Sequence, residues 1–184
     1  MIIPKVYYEK QESRFIDIGD VVFLSKEARI LTTLGSCISV CLFSHQSRIS
    51  AVCHAQMPER KMKAQGGIPE CPTSGSKDLY CDRNNKYVDS VIPFMLSVFE
   101  RKGVPRHLIR ALVIGGASML PALRTLNPIG ILNAELACDL LIRNNIKIVY
   151  RDTGGIVSRR IDIQNESGLV FVNKSLVYTL WDKI

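Results

Sequence analysis

Two apolar runs and one alternating run dominate the first third of the chain. Residues 29–34 and 38–43 are rich in Ile, Leu, Val and Phe and predict strands, separated by Gly35-Ser36, with Cys37 opening the second. Residues 48–54 alternate. Ile49, Ala51 and Cys53 share one face, and Ser50, Val52 and His54 share the other. Upstream, residues 15–24 are extended in pattern, broken at Gly19-Asp20, with a turn at Ser25-Lys26-Glu27. Between residues 58 and 86 the periodicity disappears. Pro58, Gly66, Gly67, Pro69, Pro72 and Gly75 interrupt any repeat, which predicts a loop long enough that function accounts for it better than connection alone.

The middle of the chain turns helical. Val88, Ile92, Met95 and Phe99 fall on one stripe of a helix over 89–102. An N-cap at Ser90 puts Pro93 in the third helical position, near the first turn where proline is tolerated, and Gly103 ends the helix. Ala111-Leu112-Val113-Ile114 predicts a short buried strand ending at Gly115-Gly116. A second helix over 130–144 carries Leu132, Leu136 and Leu140 at spacing four, and strand 146–150 follows the Asn144-Asn145 turn. Residues 157–163 and 168–173 predict a hairpin around Asn165-Glu166-Ser167-Gly168, and the tail keeps Leu176, Val177, Tyr178 and Trp181 for packing. Two helices thus stand against roughly seven strands, with strands first, helices in the middle and strands again. That order predicts an α+β fold, layered mixed or antiparallel sheets flanked by two main helices, in a single domain over residues 1–184.

Composition narrows the classes. The chain has 184 residues, 47% of them hydrophobic and 22% charged, which excludes disorder and fibrous architectures for the whole. No apolar run approaches the roughly 18–20 residues of a membrane helix, and Met1 to Glu9 lacks the features of a signal peptide. The expected location is therefore the cytoplasm, where the six cysteines stay reduced. Cys41, Cys53 and Cys138 sit in apolar stretches and are expected to be buried and unpaired, whereas Cys71 and Cys81 share the long loop, which can bring them together. The net charge of +7 is modest. Its densest clusters, Arg60-Lys61-Met62-Lys63 and Arg159-Arg160, are too short and too poor in aromatic platforms for a nucleic-acid binder. An acidic protein surface explains the sign equally well.

The candidate chemistry centres on Thr32-Thr33-Leu34-Gly35-Ser36-Cys37. A cysteine after Gly-Ser at the mouth of a strand is set where backbone N–H groups can converge on an oxyanion. A nucleophilic thiol needs a base, and His54 lies one strand, a turn and a returning strand away. His45 falls in that turn and His107 on a later loop. The bland alternative is a packed cysteine and a satisfied half-buried histidine. A zinc site built from Cys37, Cys41, Cys53, His54, Cys71 and Cys81 competes, but no Cys-x-x-Cys occurs and Cys53 and His54 point to opposite faces. Gly115-Gly116-Ala117-Ser118-Met119 lacks the lysine of a phosphate loop and fits close backbone packing better. Asp152-Thr153-Gly154-Gly155 has no second copy to make an aspartic-protease pair.

These blocks resemble one family. Leu34-Gly35-Ser36-Cys37-Ile38-Ser39-Val40-Cys41-Leu42 and Val52-Cys53-His54-Ala55-Gln56-Met57-Pro58 are similar to the cysteine and histidine strands of the chemoreceptor glutamine deamidase CheD family. Gly115 to Met119, Ile129-Gly130 with Asn133, and Asp152 to Gly155 are similar to its later blocks, in the same order, so the resemblance runs from about residue 19 to about residue 172. It implies hydrolysis of receptor glutamine side chains to glutamate, without metal or organic cofactor. The implied nucleophile is Cys37, the base His54, and the third member a threonine upstream of the cysteine. Thr32 and Thr33 are adjacent, and Thr32 is the choice. The implied partners are the cytoplasmic helices of chemoreceptors and the phosphatase CheC, with no nucleic acid and no membrane insertion. A binding module for receptors and CheC with little catalysis is the alternative. Whether receptor methyl esters are hydrolysed as well stays open. The long 58–86 loop and the 173–184 extension depart from the family pattern. Arg60, Lys61 and Lys63, just after the histidine strand, are expected to rim the site and steer an acidic substrate surface.

Overall fold

Side chains alternate across a strand, yet all seven residues of Ile38–Ser44 are buried. That is possible only if layers cover both faces of its sheet. The computed structural model of the protein, which describes residues 13–24, 28–59, 79–81, 85–118, 129–173 and 175–180, shows those layers. In chain order the elements are β1 (Ser13–Phe15), β2 (Asp20–Leu24), β3 (Arg29–Leu34), β4 (Ile38–Ser44), β5 (Ile49–Cys53), β6 (Leu79–Cys81) and α1 (Val88–Arg101). A short 3₁₀ turn at Arg106–Leu108 leads to β7 (Arg110–Gly115), α2 (Ile129–Arg143), β8 (Lys147–Thr153), β9 (Arg159–Gln164), β10 (Leu169–Val172) and β11 (Ser175–Thr179). The strands form a six-stranded sheet, β6-β2-β5-β4-β7-β8, and a five-stranded sheet, β1-β3-β9-β10-β11. Both are mixed, because β7 runs parallel to β8 and β1 parallel to β3 while the other pairs are antiparallel.

The six-stranded sheet is the middle layer. One face, with Val21, Phe23, Val40, Leu42, Ala51, Cys53 and Val113, packs on Val88, Ile92, Met95 and Phe99 of α1 and on Ala134, Ala137 and Leu141 of α2. The other face, with Val22, Leu24, Cys41, Phe43, Val52, Leu112 and Ile114, packs on Ile30, Leu34, Ile161, Ile163, Val170 and Val172 of the five-stranded sheet. The single-domain α+β layering expected from the pattern is thus present, with both helices on one side and eleven strands among the described residues.

Several sequence expectations change. The 58–86 segment contains a strand, β6, which pairs antiparallel with β2 and completes its free edge; its flanks, including Arg60, Lys61, Lys63 and Cys71, lie outside the described residues. Helix α1 begins at Val88 with Tyr87, not Ser90, at the N-cap, so Pro93 sits in its interior. The start moves because backbone carbonyls, not a side chain, satisfy the first orphan donors: Val88 N–H donates to Met57 O at 2.9 Å and Asp89 N–H to Pro58 O at 3.1 Å. In α2 the buried face is Gly130, Asn133, Ala134, Ala137, Cys138 and Leu141, while Leu132 is 37% exposed. At the start of that face a small residue is required, because a Cβ on Gly130 would overlap the backbone of Gly116 and Ala117. Within the tail, Ser175–Thr179 forms β11, antiparallel to β10, and Trp181 lies outside the described residues.

Helix α2 meets the chain closely at Gly116, where an added Cβ would stand 2.5 Å from Gly130 O and the backbone has φ of +68°. Gly154 has φ of +78° with open space around it. Gly116→Ala therefore carries both overlap and backbone strain and is expected to destabilise by about 3 kcal/mol, lowering Tm by roughly 6–12 °C. Gly154→Ala carries the conformational cost alone, about 1 kcal/mol and roughly 2–4 °C. Thermal melts of the two variants check this difference.

Candidate active site

Consecutive strands β3 and β4 belong to different sheets, so the chain crosses between layers at Gly35-Ser36-Cys37. The crossing is pinned from β7 outward. Gly116 N–H donates to Cys37 O at 2.7 Å and Ala117 N–H to Gly35 O at 2.8 Å. A Cβ on Gly115 would overlap that same Cys37 carbonyl, which is why glycine holds the position. The side-chain amide of Asn133, wholly buried on α2, donates to Ser36 O at 3.0 Å and to Gln56 O at 2.8 Å.

The β4–β5 hairpin brings the cysteine and the histidine strands together. The Cys41–Val52 pair and the Ile38–Ala55 bridge fix a register in which Ser39 stands opposite His54 and Cys37 opposite Gln56. Cys37, Ser39 and His54 therefore share the inter-sheet face, with Cys37 and His54 as diagonal neighbours. Across the gap, alternation along β3 turns Ile30, Thr32 and Leu34 inward, whereas Thr33 is exposed. Of the two adjacent threonines, only Thr32 can meet the imidazole.

The hydrogen bonds assign the tautomer. Thr32 Oγ1 donates its one proton to Ile16 O at 2.9 Å and lies 2.9 Å from His54 Nδ1. With that proton committed, Oγ1 can only accept, so Nδ1 carries the hydrogen and Nε2 the lone pair. Ile16 O is also 3.5 Å from Nδ1. His54 Nε2 is buried and has no hydrogen-bond partner among the described residues. No hydrogen bond joins Cys37 Sγ to His54 Nε2. Cys37 lies one residue before β4, where the chain is already leaving the sheet.

Burial governs the protonation of both groups. It pushes the Cys37 thiol above the usual thiol range, with its own backbone N–H opposing. It pushes the His54 imidazole below its usual value, opposed by the Ile16 carbonyl and the charges of Asp17 and Asp20. Both shifts favour a neutral thiol beside a neutral imidazole over a thiolate–imidazolium pair. Cys41 and Cys53 are fully buried, and burial raises the Cys53 thiol to about 12 and Cys41 higher still. Cys37, Cys41, Cys53 and Cys138 are all free thiols. No group of three or more His, Cys, Asp or Glu side chains suited to a metal occurs among the described residues.

The Ile16 carbonyl and the contacts of Asn133 were not legible in the sequence. The Ile16 carbonyl is a backbone group, which side-chain motifs cannot reveal. Asn133 stands in the sequence as part of a family-like block and as a polar residue in an apolar helix, but spacing alone does not reveal the two carbonyls that it meets.

Comparison with known proteins adds an independent line. A family model described as CheD chemotactic sensory transduction matches residues 71–174. The chain is 28% identical over 160 residues to a protein of Geobacter sulfurreducens named probable chemoreceptor glutamine deamidase CheD 2, covering 87% of this chain and 88% of the relative. It is 28% identical over 162 residues to the chemoreceptor glutamine deamidase CheD of Thermotoga maritima, covering 88% and 91%. A probable chemoreceptor glutamine deamidase CheD of Methanococcus maripaludis is 23% identical over 159 residues, covering 86% and 93%. A span covering 87% of this chain necessarily includes Thr32, Cys37 and His54.

Of the four described free thiols Cys37 alone is not buried. Native treatment with iodoacetamide is expected to alkylate Cys37 about 100-fold faster than Cys41 or Cys53, which need local opening first. Peptide mass spectrometry against time, with an unfolded control, reads the order.

Proposed function

Because the chain belongs to the CheD family, we propose that it hydrolyses the side-chain amides of chemoreceptor glutamines to glutamates, with Cys37 as nucleophile, His54 as general base and Thr32 as the group that holds the imidazole. The observation that carries this reading is the hydrogen-bond chain from His54 Nδ1 through Thr32 Oγ1 to Ile16 O, which leaves Nε2 with its lone pair on the face it shares with Cys37.

The chemistry follows from that arrangement. His54 Nε2 takes the Cys37 proton as the sulfur attacks the carboxamide carbon. No backbone carbonyl among the described residues accepts the Cys37 N–H, so it is available to the oxyanion. The imidazolium then passes its proton to the departing nitrogen, which leaves as ammonia, and a thioester remains. His54 next removes a proton from water, whose oxygen attacks the thioester carbon. Glutamate forms and the sulfur leaves, recovering its proton from the imidazolium. The Thr32 contact keeps Nε2 facing the sulfur in every step, the part a third group plays in such triads.

The substrate would be chemoreceptor glutamines, as the names of the relatives indicate for those proteins, on the cytoplasmic helices that the resemblance implies. No helix of the described residues is long and apolar enough to cross a membrane. The phosphatase CheC, implied by the resemblance, would be a second partner.

Mass spectrometry of receptor peptides tests the reaction. Each converted glutamine gains about 1 Da, and the gain is expected to vanish with Cys37→Ala. An unchanged gain in that variant, or none with the intact protein, would overturn the reading. Thr32→Val is expected to lower kcat/KM by about 10- to 100-fold, with Thr32→Ser restoring most of it.

The pH profile has a definite sign. His54 must be neutral to accept a proton, and its burial lowers its pKa, so activity is expected to persist as pH falls through about 6.5 and to decline only below it. A profile that rises only through pH 7–8 and above would instead indicate a thiol that ionises without His54 as its base.

A further inference from the structure

We propose that Asn133 is a positioning residue that sets the Cys37–His54 geometry by replacing the missing last rung of the β4–β5 ladder. The inference builds on the thiol mechanism above.

The ladder between the two strands ends at the Ile38–Ala55 bridge, where each residue donates to the other at 2.8 Å. One step further out the strands diverge. Gln56 N–H turns away to Lys86 O at 2.8 Å, as does Met57 N–H at 2.9 Å. The carbonyls of Ser36 and Gln56 are left facing one site with no backbone donor between them. Two carbonyl oxygens at such a site repel each other and spread the strands. The Asn133 amide nitrogen lies between them, one proton to each, at 3.0 and 2.8 Å. With acceptors on both sides, the nitrogen and oxygen of this amide cannot be exchanged.

What the clamp holds is informative. Ser36 directly precedes the nucleophile, and Gln56 lies two residues beyond the base. Cys37 thus sits in the one-residue gap between the bridge at Ile38 and the clamp at Ser36, with its own carbonyl tied to Gly116. Asn133 Oδ1 is buried without a partner among the described residues. A buried unsatisfied acceptor is rarely kept for stability, and a residue retained only for packing would meet the buried small-residue face of α2 better as an apolar side chain. The helix is itself locked in depth by the Gly130–Gly116 contact, so the amide cannot retreat from the strands. Asn133 touches neither reacting atom in this arrangement. It acts through the two backbones.

The test uses the full chain with Asn133→Asp, Asn133→Ser and Asn133→Ala, and the rate of Cys37 alkylation by iodoacetamide from pH 5 to 9.5. Asp keeps the shape but offers carboxylate oxygens to two carbonyls, Ser keeps one donor, and Ala keeps none. In the intact protein the alkylation rate should show an acid-side limb that follows His54. Asp and Ala should lose that limb, lowering the neutral-pH rate about 10- to 100-fold and leaving a rate that climbs only with the ionisation of the thiol, with Ser between. Melting curves give the folded fraction, so rates are compared per folded molecule. Should Asp and Ala fail to fold, Ser alone still decides. Its intermediate limb supports the clamp, and a profile identical to the intact protein overturns it. A variant with lowered Tm but an unchanged limb likewise reduces Asn133 to a structural role. In receptor-peptide deamidation the expected signature is a fall in kcat with KM unchanged, and a rise in KM alone would overturn positioning in favour of substrate contact. The alkylation profile needs no receptor, so a failure of the deamidase reading remains distinguishable from a failure of the clamp.

Discussion

An imidazole held between two sheets is the constraint around which the rest of this structure is arranged. Most of the inter-sheet layer is filled by Ile, Leu and Val, and a polar ring among them costs free energy unless its nitrogens find partners. Nδ1 finds one in Thr32, which is itself satisfied by the Ile16 carbonyl. Nε2 finds none among the described residues. Such asymmetry destabilises the fold by roughly 1–3 kcal/mol and is the form of local cost that proteins concentrate where chemistry occurs. The three-layer architecture makes it possible, since only a strand with neighbours on both faces can bury an imidazole on one side while its sheet is anchored by helices on the other.

The same burial sets the protonation state of the pair. Desolvation raises the thiol and lowers the imidazole, so both resist charge before substrate arrives. A permanently ionised thiolate would react with any electrophile. A neutral thiol that loses its proton only when a carbonyl is in place is more selective, at the expense of intrinsic nucleophilicity. In the mechanism proposed above, geometry then matters more than in an ion pair, because proton transfer falls away quickly with distance.

Geometry is secured at the chain crossing. Gly35-Ser36-Cys37 leaves one sheet and enters the other, and its carbonyls are bound in turn by Ala117 N–H, the Asn133 amide and Gly116 N–H. Each donor comes from an element distant in sequence, the end of β7 or the first turns of α2. The close contact of Gly116 with Gly130 couples the two. Helix α2 is thus both a cover for the core and a brace that reaches through to the crossing, with Gly130 and Asn133 on its buried face at the points of contact.

Much of this was legible in residue order. The runs at 29–34 and 38–43 and the alternation through His54 identify β3, β4 and β5 and the faces of their side chains, because strand periodicity is local and buried faces must be apolar. The hairpin that sets Cys37 and His54 on one face was legible in the same way, and so was close packing at Gly115-Gly116, from the absence of any phosphate-loop partner. Tertiary structure alone decided the rest. Whether Thr32 or Thr33 meets the histidine depends on which face of β3 looks at the other sheet, and that is set by the pairing of β3 with β9, more than a hundred residues away. The start of α1 depends on the carbonyls of Met57 and Pro58, and the buried face of α2 on how near its axis lies to Gly116. Periodicity records which side chains prefer to leave water, but not how closely two backbones approach or which unpaired carbonyl waits for a donor. Those are properties of the assembled layers, and at the crossing they determine where the sulfur and the imidazole stand.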